Sequence, residues 1–383
     1  MSLLTVMAGA AVAPALNAVS AHFADAKPLF IQFVVSMPAL FIILTNLCFP
    51  QLCKLMRTRT LAVCGLLLYV VAGSGAFFAD NIVVLLVLRA LLGVSVGMIM
   101  PLSTGLLAYY FPPEEQARLM GLAAAMNQMG GVVATFLAGM LAGISWNYAF
   151  LVYLLGLIAI VLVALFLPNE RLSNENENQN ENQNENENRA SQTLNSQLST
   201  LNLLKRFHPS VVGMFLVMIL FFIYPTNFAL TASETLSVTG ITLVMMGLDV
   251  VAFLVGLVFG AMMKRFAAQM KYAAPLGFMA GYFCLAAGSS LAWLLIGSAS
   301  IGIANGVGVP YLNTIGSVKA GKDADTTVMP LLSTALYLGQ FLSPLVVSPL
   351  ATATHLTPYL IGVAFAIVYL IQAIITRKEQ MLP

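Results

Sequence analysis

Charge is what this sequence has least of. Only 8% of its 383 residues are Asp, Glu, Lys or Arg, while 60% are hydrophobic; a soluble domain carries roughly 25% charged residues. So little charge cannot cover a water-facing surface, and lipid is the expected solvent for most of the chain. The net charge of +2 gives no reason to expect a nucleic-acid partner, because in a membrane protein the placement of Lys and Arg matters more than their sum. Cysteine is scarce too. Cys48, Cys53, Cys64 and Cys284 fall in apolar segments or a basic loop, which argues against a disulfide framework and for small apolar packers. The three histidines, His22, His208 and His355, are scattered without ligand spacing, so no metal site is expected. The sequence also lacks a Gly-x-x-x-x-Gly-Lys-Ser/Thr loop and any Ser, His and Asp arrangement. An ATP-driven pump, a membrane hydrolase and any other enzyme are therefore not expected, and no cofactor is implied.

What the chain does have is long apolar runs. Twelve segments can be drawn, at 1–23, 28–49, 60–79, 83–110, 115–142, 146–168, 209–232, 238–263, 271–290, 291–318, 327–352 and 356–376. At about 1.5 Å per residue each can cross a hydrocarbon core of about 30 Å. The runs are continuous rather than alternating, and an open sheet edge in lipid leaves backbone groups unpaired, so the segments are expected to be helices. Between the sixth and seventh lies the polar run 173–188, SNENENQNENQNENEN. It has no apolar residue to offset the entropy of ordering and reads as a disordered tether. The expected organisation is an N-terminal six-helix bundle at 1–168, a cytoplasmic Asn/Glu/Gln-rich linker at 169–208, and a C-terminal six-helix bundle with a short tail at 209–383. The halves repeat at an offset of about 210: Pro14 maps to Pro225, Pro50 to Gly260, Pro101 to Pro310, and Gly93 and Gly97 to Gly302 and Gly306. The fold class expected is all-α integral membrane, twelve transmembrane helices in two pseudo-twofold related bundles.

With both termini inside, fifteen of the seventeen Lys and Arg lie on the cytoplasmic side, only Lys27 lies outside, and Arg89 lies within a span. The positive-inside rule selects this orientation, so a multi-pass cell-membrane protein with both termini cytoplasmic is expected. Residues 1–23 lack the charged n-region of a signal peptide and read as the first span, with a start further upstream or a short first helix.

In the fourth segment Arg89, Gly93 and Gly97 form an Arg-x-x-x-Gly-x-x-x-Gly pattern. Trp146, Asn147 and Phe150 open the sixth. With the six-plus-six organisation, these residues make the whole chain resemble the major facilitator superfamily, in which Arg usually stands where Asn147 does. The family's loop between the second and third helices, Gly-x-Leu-Ala-Asp-Arg-x-Gly-Arg-Arg, is poorly kept over residues 50–59: its acid is Lys54 here. The loop starting Gly260, Ala261, Met262, Met263, Lys264, Arg265 is nearer to it. The fifth segment keeps part of the antiporter pattern in Gly121, Gly130, Ala134, Ala138 and Gly139, but Ala134 and Thr135 replace its Gly-Pro pair. The resemblance implies a transporter whose first, fourth, seventh and tenth helices line a central path, similar to the drug and metabolite efflux branch. Close helix packing alone also explains the small residues.

The candidate site residues follow from chemistry that is costly in lipid. Asp249 is the only acid deep in a proposed span, about nine residues or roughly 13 Å from the outer end, where a lone carboxylate is expensive; it suits a proton carrier. Arg89 is the basic counterpart, with either an electrostatic role in coupling or a structural one, bonded to carbonyls of the first helix. Pro14, Pro101, Pro225 and Pro310 fall inside the four path-lining helices and mark places to bend; Gly93, Gly97 and Gly130 allow close helix approach. Polar groups able to meet a substrate, or equally another helix, are Asn17, Asn127, Gln128, Tyr224, Asn227, Asn305, Tyr311, Asn313, Tyr337 and Gln340.

One acid, one base and otherwise amide, phenol, Met and Phe side chains suit a neutral, cationic or amphipathic organic molecule better than a polyanion. The expectation is secondary active efflux driven by a proton gradient, by a monomer whose partners are a small-molecule substrate and the bilayer. An uptake symporter or uniporter for a neutral metabolite is the alternative, and a non-transporting sensor a more distant one.

Overall fold

The structure, a computed structural model, describes residues 2–110, 113–168, 188–266 and 269–376; most of the expected tether lies outside the described residues. Every crossing it describes is helical. The first is broken at Pro14 into α1 (Ser2–Ala10), a 3-10 turn (Ala13–Ala15) and α2 (Leu16–His22). The proline has no N–H to give, and the turn closes on the shorter bond from the Ala15 amide to the Val12 carbonyl, 3.0 Å. Then come α3 (Pro28–Leu55), α4 (Thr58–Gly75), α5 (Ile82–Tyr110) and α6 (Pro113–Ala142). A 3-10 segment (Trp146–Leu155) running into α7 (Gly156–Phe166) completes the sixth crossing.

The second half holds α8 (Asn188–Ala232), α9 (Val238–Phe266), α10 (Met270–Ala287), α11 (Leu291–Thr354) and α12 (Pro358–Ile375). Helix α8 starts within the stretch expected as linker, well before residue 209. The helical run α11 makes two crossings, Leu291–Gly316 and Val328–Thr354. It folds back between them, because a Cβ at Gly316 would stand 2.6 Å from Leu332. Ten described stretches are long and apolar enough to span a membrane, and α6 adds the shorter apolar piece Met126–Ala142; α10 makes the twelfth crossing. Pro28 and Pro358 open α3 and α12, where a missing amide proton costs nothing, and Thr357 caps α12 by accepting from the Leu360 amide.

The duplication read from the sequence recurs as duplicated packing. A Cβ on Gly93 would strike the Pro38 carbonyl of α3, and one on Gly302 would stand 2.7 Å from the Leu248 carbonyl of α9. Likewise Gly97 seats Thr45 and the Ile42 carbonyl, while Gly306 seats Val255 and the Ala252 carbonyl. Each contact in one half maps onto its mate by an offset of 209 or 210. Tyr69 of α4 donates to the Leu4 carbonyl of α1, and Tyr282 of α10 donates to the Leu220 carbonyl of α8. Gly156 lies against Tyr69, and Gly362 against Tyr282. The two lobes meet chiefly where α3 packs on α11 and α6 on α9. A twofold axis that swaps the halves exchanges those two seams, since α3 corresponds to α9 and α6 to the second pass of α11.

Candidate functional site

Asp249 lies on the face of α9 that looks across the lobe boundary at α6. Thr242, Asp249 and Gly256 recur every seven residues, so they share one helix face. Against it α6 presents Gly131, Thr135 and Gly139, four residues apart. A Cβ on Gly139 would collide with the Thr242 side chain, so glycine there is what lets the helices close; Gly131 has the Asp249 carboxylate 3.9 Å from where its Cβ would be. Between these two contacts the Thr135 hydroxyl donates to Asp249 Oδ2 at 2.8 Å. The expensive carboxylate is thus partnered from the other lobe. Thr135 is buried, at 2% exposure, and Asp249 is half-buried.

Arg89 faces away from that seam. Its guanidinium donates to the Val34 carbonyl of α3 at 2.7 Å, to the Tyr153 hydroxyl at 2.6 Å and to the Ala8 carbonyl of α1, and it lies 5.6 Å from the Tyr153 ring centre. With 1% exposure it ties three crossings of the N-terminal lobe together without a carboxylate. Its mate by the repeat, Ser298, does a smaller version of the same work by bonding the Tyr224 hydroxyl at 2.7 Å.

The polar residues picked out in the sequence divide in two. Several are engaged between helices. Asn127 accepts from Thr5 of α1 at 2.8 Å. Tyr224 is buried, bonded to Ser298 and stacked on Phe228 at 4.5 Å. Asn227 accepts from Gln32 of α3 across the lobe boundary at 2.9 Å, and its amide donates to the Ile223 carbonyl. Tyr337 donates to the Met100 sulfur across the same boundary at 2.9 Å. Gln340 is buried with its amide nitrogen 3.6 Å from where a Cβ of Gly9 would be. Others are less committed: Asn17, Gln128, Asn305 and Asn313 are half-buried, and the buried Asn305 Oδ1 accepts no hydrogen bond from the described residues. Tyr311 is buried within the C-terminal lobe.

Of the bending candidates, only Pro14 breaks its helix; Pro101, Pro225 and Pro310 stay inside continuous helical runs. Around Pro225 side chains supply donors to neighbouring carbonyls, Thr226 to Phe222 and Asn227 to Ile223. Gly130 receives the Leu3 backbone of α1 within its own lobe, so the glycines of the lobe seam are Gly131 and Gly139. Reading the sequence alone did not single out Gln32, Gly131 or Thr135 as site residues. Thr135 carried one available signal: it stands where the resembling pattern has proline.

Two surface clefts of about 430 Å³ lie apart from Asp249. One is lined by Leu137, Met140, Leu141, Leu155 and Ile158 on α6 and the sixth crossing, the other by residues of α9 and α10 such as Phe266 and Leu276. The first is lined by apolar side chains and offers little to orient a polar solute; the seam geometry is the better guide to the site. The described residues contain no cluster of His, Cys, Asp and Glu able to hold a metal, and the four cysteines are free thiols. Burial pushes the Cys53 thiol, near the end of α3, above its ordinary range.

Two related helical lobes thus meet along a seam that holds a carboxyl group. A sequence profile of the Major Facilitator Superfamily matches residues 1–344, and the chain belongs to that family; it is therefore a transporter and not an enzyme. Among curated relatives, the multidrug transporter protein MdtP of Bacillus subtilis (strain 168) is 25% identical over 116 residues, 30% of this chain and 21% of that protein. A multidrug resistance protein B homolog of Mycobacterium tuberculosis (strain CDC 1551 / Oshkosh) is 33% identical over 116 residues, 30% of this chain and 22% of that protein. The match thus spans about a fifth of the length of these relatives. Among solved structures, a D-xylose-proton symporter superposes with a TM-score of 0.79 at 13% identity, covering 100% of this chain and 95% of that one. The nucleoside transporter NupG (D323A mutant) superposes at 0.74 with 12% identity, over 97% and 98% of the two chains. At such identities the likeness concerns the fold.

Proposed function

We propose that this transporter exports a small neutral, cationic or amphipathic organic molecule in exchange for protons, by alternating access in the cell membrane with both termini and the linker cytoplasmic. The observation that carries the reading is Asp249. It is the one carboxyl group in the described spans, and it stands on the seam between lobes, where rocking exposes it to one side and then the other. A proton taken up on one side is released on the other, and the same motion carries the substrate the opposite way. The less committed amides Asn17, Gln128, Asn305 and Asn313 supply hydrogen bonds for an uncharged or cationic guest, and among the described residues the seam presents no cation to a polyanion. Relatives named as a multidrug transporter and a multidrug resistance protein support export; the symporter among the solved structures keeps uptake as the competing direction.

The test is flux in proteoliposomes with an imposed pH gradient, using ethidium as the amphipathic cation. Accumulation in acid-interior vesicles marks antiport, and accumulation under the opposite gradient marks symport. Asp249→Asn is expected to abolish gradient-driven accumulation while leaving downhill exchange measurable. Full gradient-driven transport by that variant would sink the assignment of Asp249.

A further inference from the structure

We infer that the boundary between α3 and the second pass of α11 carries a subsite for a planar aromatic or heteroaromatic molecule, formed by Phe33, Tyr337, Gln340 and Phe341. The inference rests on the reading of the chain as an exporter of small organic molecules and narrows which of them it takes. Phe33 of one lobe and Phe341 of the other stack across the boundary, with 9° between ring planes and 5.8 Å between ring centres. Both are half-buried, so neither ring is sealed inside its own lobe.

The residues around the pair have unused hydrogen-bonding capacity. Tyr337, Gln340 and Phe341 are spaced i, i+3 and i+4 and so share one face of α11. That face looks at three helices of the N-terminal lobe: Met100 of α5 accepts from Tyr337, Gly9 of α1 stands beside the Gln340 amide, and Phe33 of α3 meets Phe341. Gln340 is only 7% exposed, and among the described residues its carboxamide makes no hydrogen bond. A buried amide without a partner is costly, and a guest with a donor or an acceptor at its edge removes that cost. The Tyr337 hydroxyl does have a partner, but a thioether sulfur is a weak acceptor, and a nitrogen or oxygen of a guest is a stronger one. Phenyl faces beside a neutral amide and a phenol suit a flat ring system with a polar rim.

The duplication sets this boundary apart from the one that holds Asp249. By the offset of 209 or 210, Gln340 and Tyr337 are the mates of Gly131 and Gln128 on α6, Phe341 is the mate of Val132, and Phe33 is the mate of Leu243 on α9. The equivalent positions of the other seam thus hold no ring, and there Gly131 lies beside the carboxyl group instead. The ring-bearing boundary is the specialised copy of a duplicated surface. Its two rings belong to different lobes, so rocking changes the gap between them. A flat guest that enters the gap replaces one ring pair by two, and each such pair is favourable beyond the area it buries. An aliphatic guest of equal charge obtains only the burial.

The experiment is an equilibrium titration of purified full-length protein in detergent, read by ethidium fluorescence, with tetrabutylammonium as a competing cation that has no ring. The parent is expected to bind ethidium more tightly than tetrabutylammonium. Phe33→Leu and Phe341→Leu keep the apolar bulk and remove a ring; each should weaken ethidium about fivefold and leave the tetrabutylammonium constant within about twofold of the parent's. Phe341→Tyr keeps the ring and should bind ethidium as the parent does. Gln340→Leu should weaken ethidium by about fivefold as well, and it carries the test if a leucine variant of either phenylalanine fails to fold. Parent-like ethidium affinity in the Phe33→Leu, Phe341→Leu and Gln340→Leu proteins overturns the inference, as does a parent that binds ethidium no more tightly than tetrabutylammonium. Equal losses for the two cations show that the rings only hold the lobes together, and likewise overturn it. No gradient enters these titrations. Symport in the vesicle assay overturns the export reading and leaves the subsite standing, whereas lack of ring selectivity overturns the subsite and leaves the export reading standing.

Discussion

Gln32 Nε2 donates to Asn227 Oδ1 at 2.9 Å, joining α3 of one lobe to α8 of the other in a setting where both side chains are buried. In lipid-embedded helices such bonds contribute about 0.6 kcal/mol on average, because the separated helices find other partners. The pair is nevertheless placed at the end of the lobes that includes the Thr242 and Gly139 contact. Replacing Gln32 or Asn227 by Leu should each lower the thermal unfolding midpoint in detergent. A double-mutant cycle should return a coupling of about 0.5–1 kcal/mol. Strict additivity of the two would show that the bond contributes nothing.

Arg89 should behave as a fastener of its lobe. Removing the guanidinium takes a donor from the buried Val34 and Ala8 carbonyls and the Tyr153 hydroxyl, at about 1–3 kcal/mol for a buried group left unpaired, so Arg89→Ala should severely reduce the yield of monodisperse protein. Arg89→Lys keeps the charge but cannot reach three acceptors with a planar fork, and should also lower the unfolding midpoint. Tyr153→Phe, which removes one acceptor, should be milder. In all variants that fold, the pH dependence of transport should match the parent, and a shifted pH profile in Arg89→Lys would place Arg89 in proton coupling after all.

Glycines of the same helix class should respond in opposite ways. Gly302→Ala pushes a methyl to 2.7 Å from the Leu248 carbonyl and must separate α11 from α9, an overpacking cost of about 1–3 kcal/mol. Gly247→Ala meets no described atom within 4 Å and gains up to about 1 kcal/mol of helix propensity. Thermal unfolding of the two variants side by side tests the packing; equal midpoints would contradict it.

A fourth expectation concerns the linker end of the lobes. Lys271, at the start of α10, donates to the Thr376 carbonyl just past α12 at 3.1 Å, and Arg59, at the start of α4, donates to the Ala164 carbonyl of α7. Both pairs map onto each other at an offset of 212, and each puts a cation at a helix C-terminus, where the helix dipole favours it by about 0.3–1 kcal/mol. Lys271→Met and Arg59→Met should each lower the unfolding midpoint slightly, and Lys271→Arg should preserve it. Larger loss in Lys271→Arg than in Lys271→Met would rule out the capping role.

Much of the architecture was legible before any coordinates. Asp249 stood out because a carboxyl group in hydrocarbon has to be justified. Its partner did not, since Thr135 lies 114 residues away in the other half and a threonine in an apolar helix costs little wherever it points. By sequence Asn227 and Tyr224 could meet either a substrate or another helix; the structure bonds both between helices. Pro14 and Pro225 looked equivalent by the repeat, yet one breaks its helix and the other sits in a continuous run with Thr226 and Asn227 donating nearby.

The sequence by itself determined that the chain is helical and crosses the membrane in two repeated sets. Those properties follow from local composition, because lipid leaves a backbone no other way to satisfy its own hydrogen bonds. Only the tertiary structure decided which polar groups hold helices together and which face the seam between lobes. That choice depends on the rotation of each helix about its axis, and rotation is set by packing against neighbours distant in the chain, as when Gly139 admits Thr242 and so brings Thr135 to Asp249.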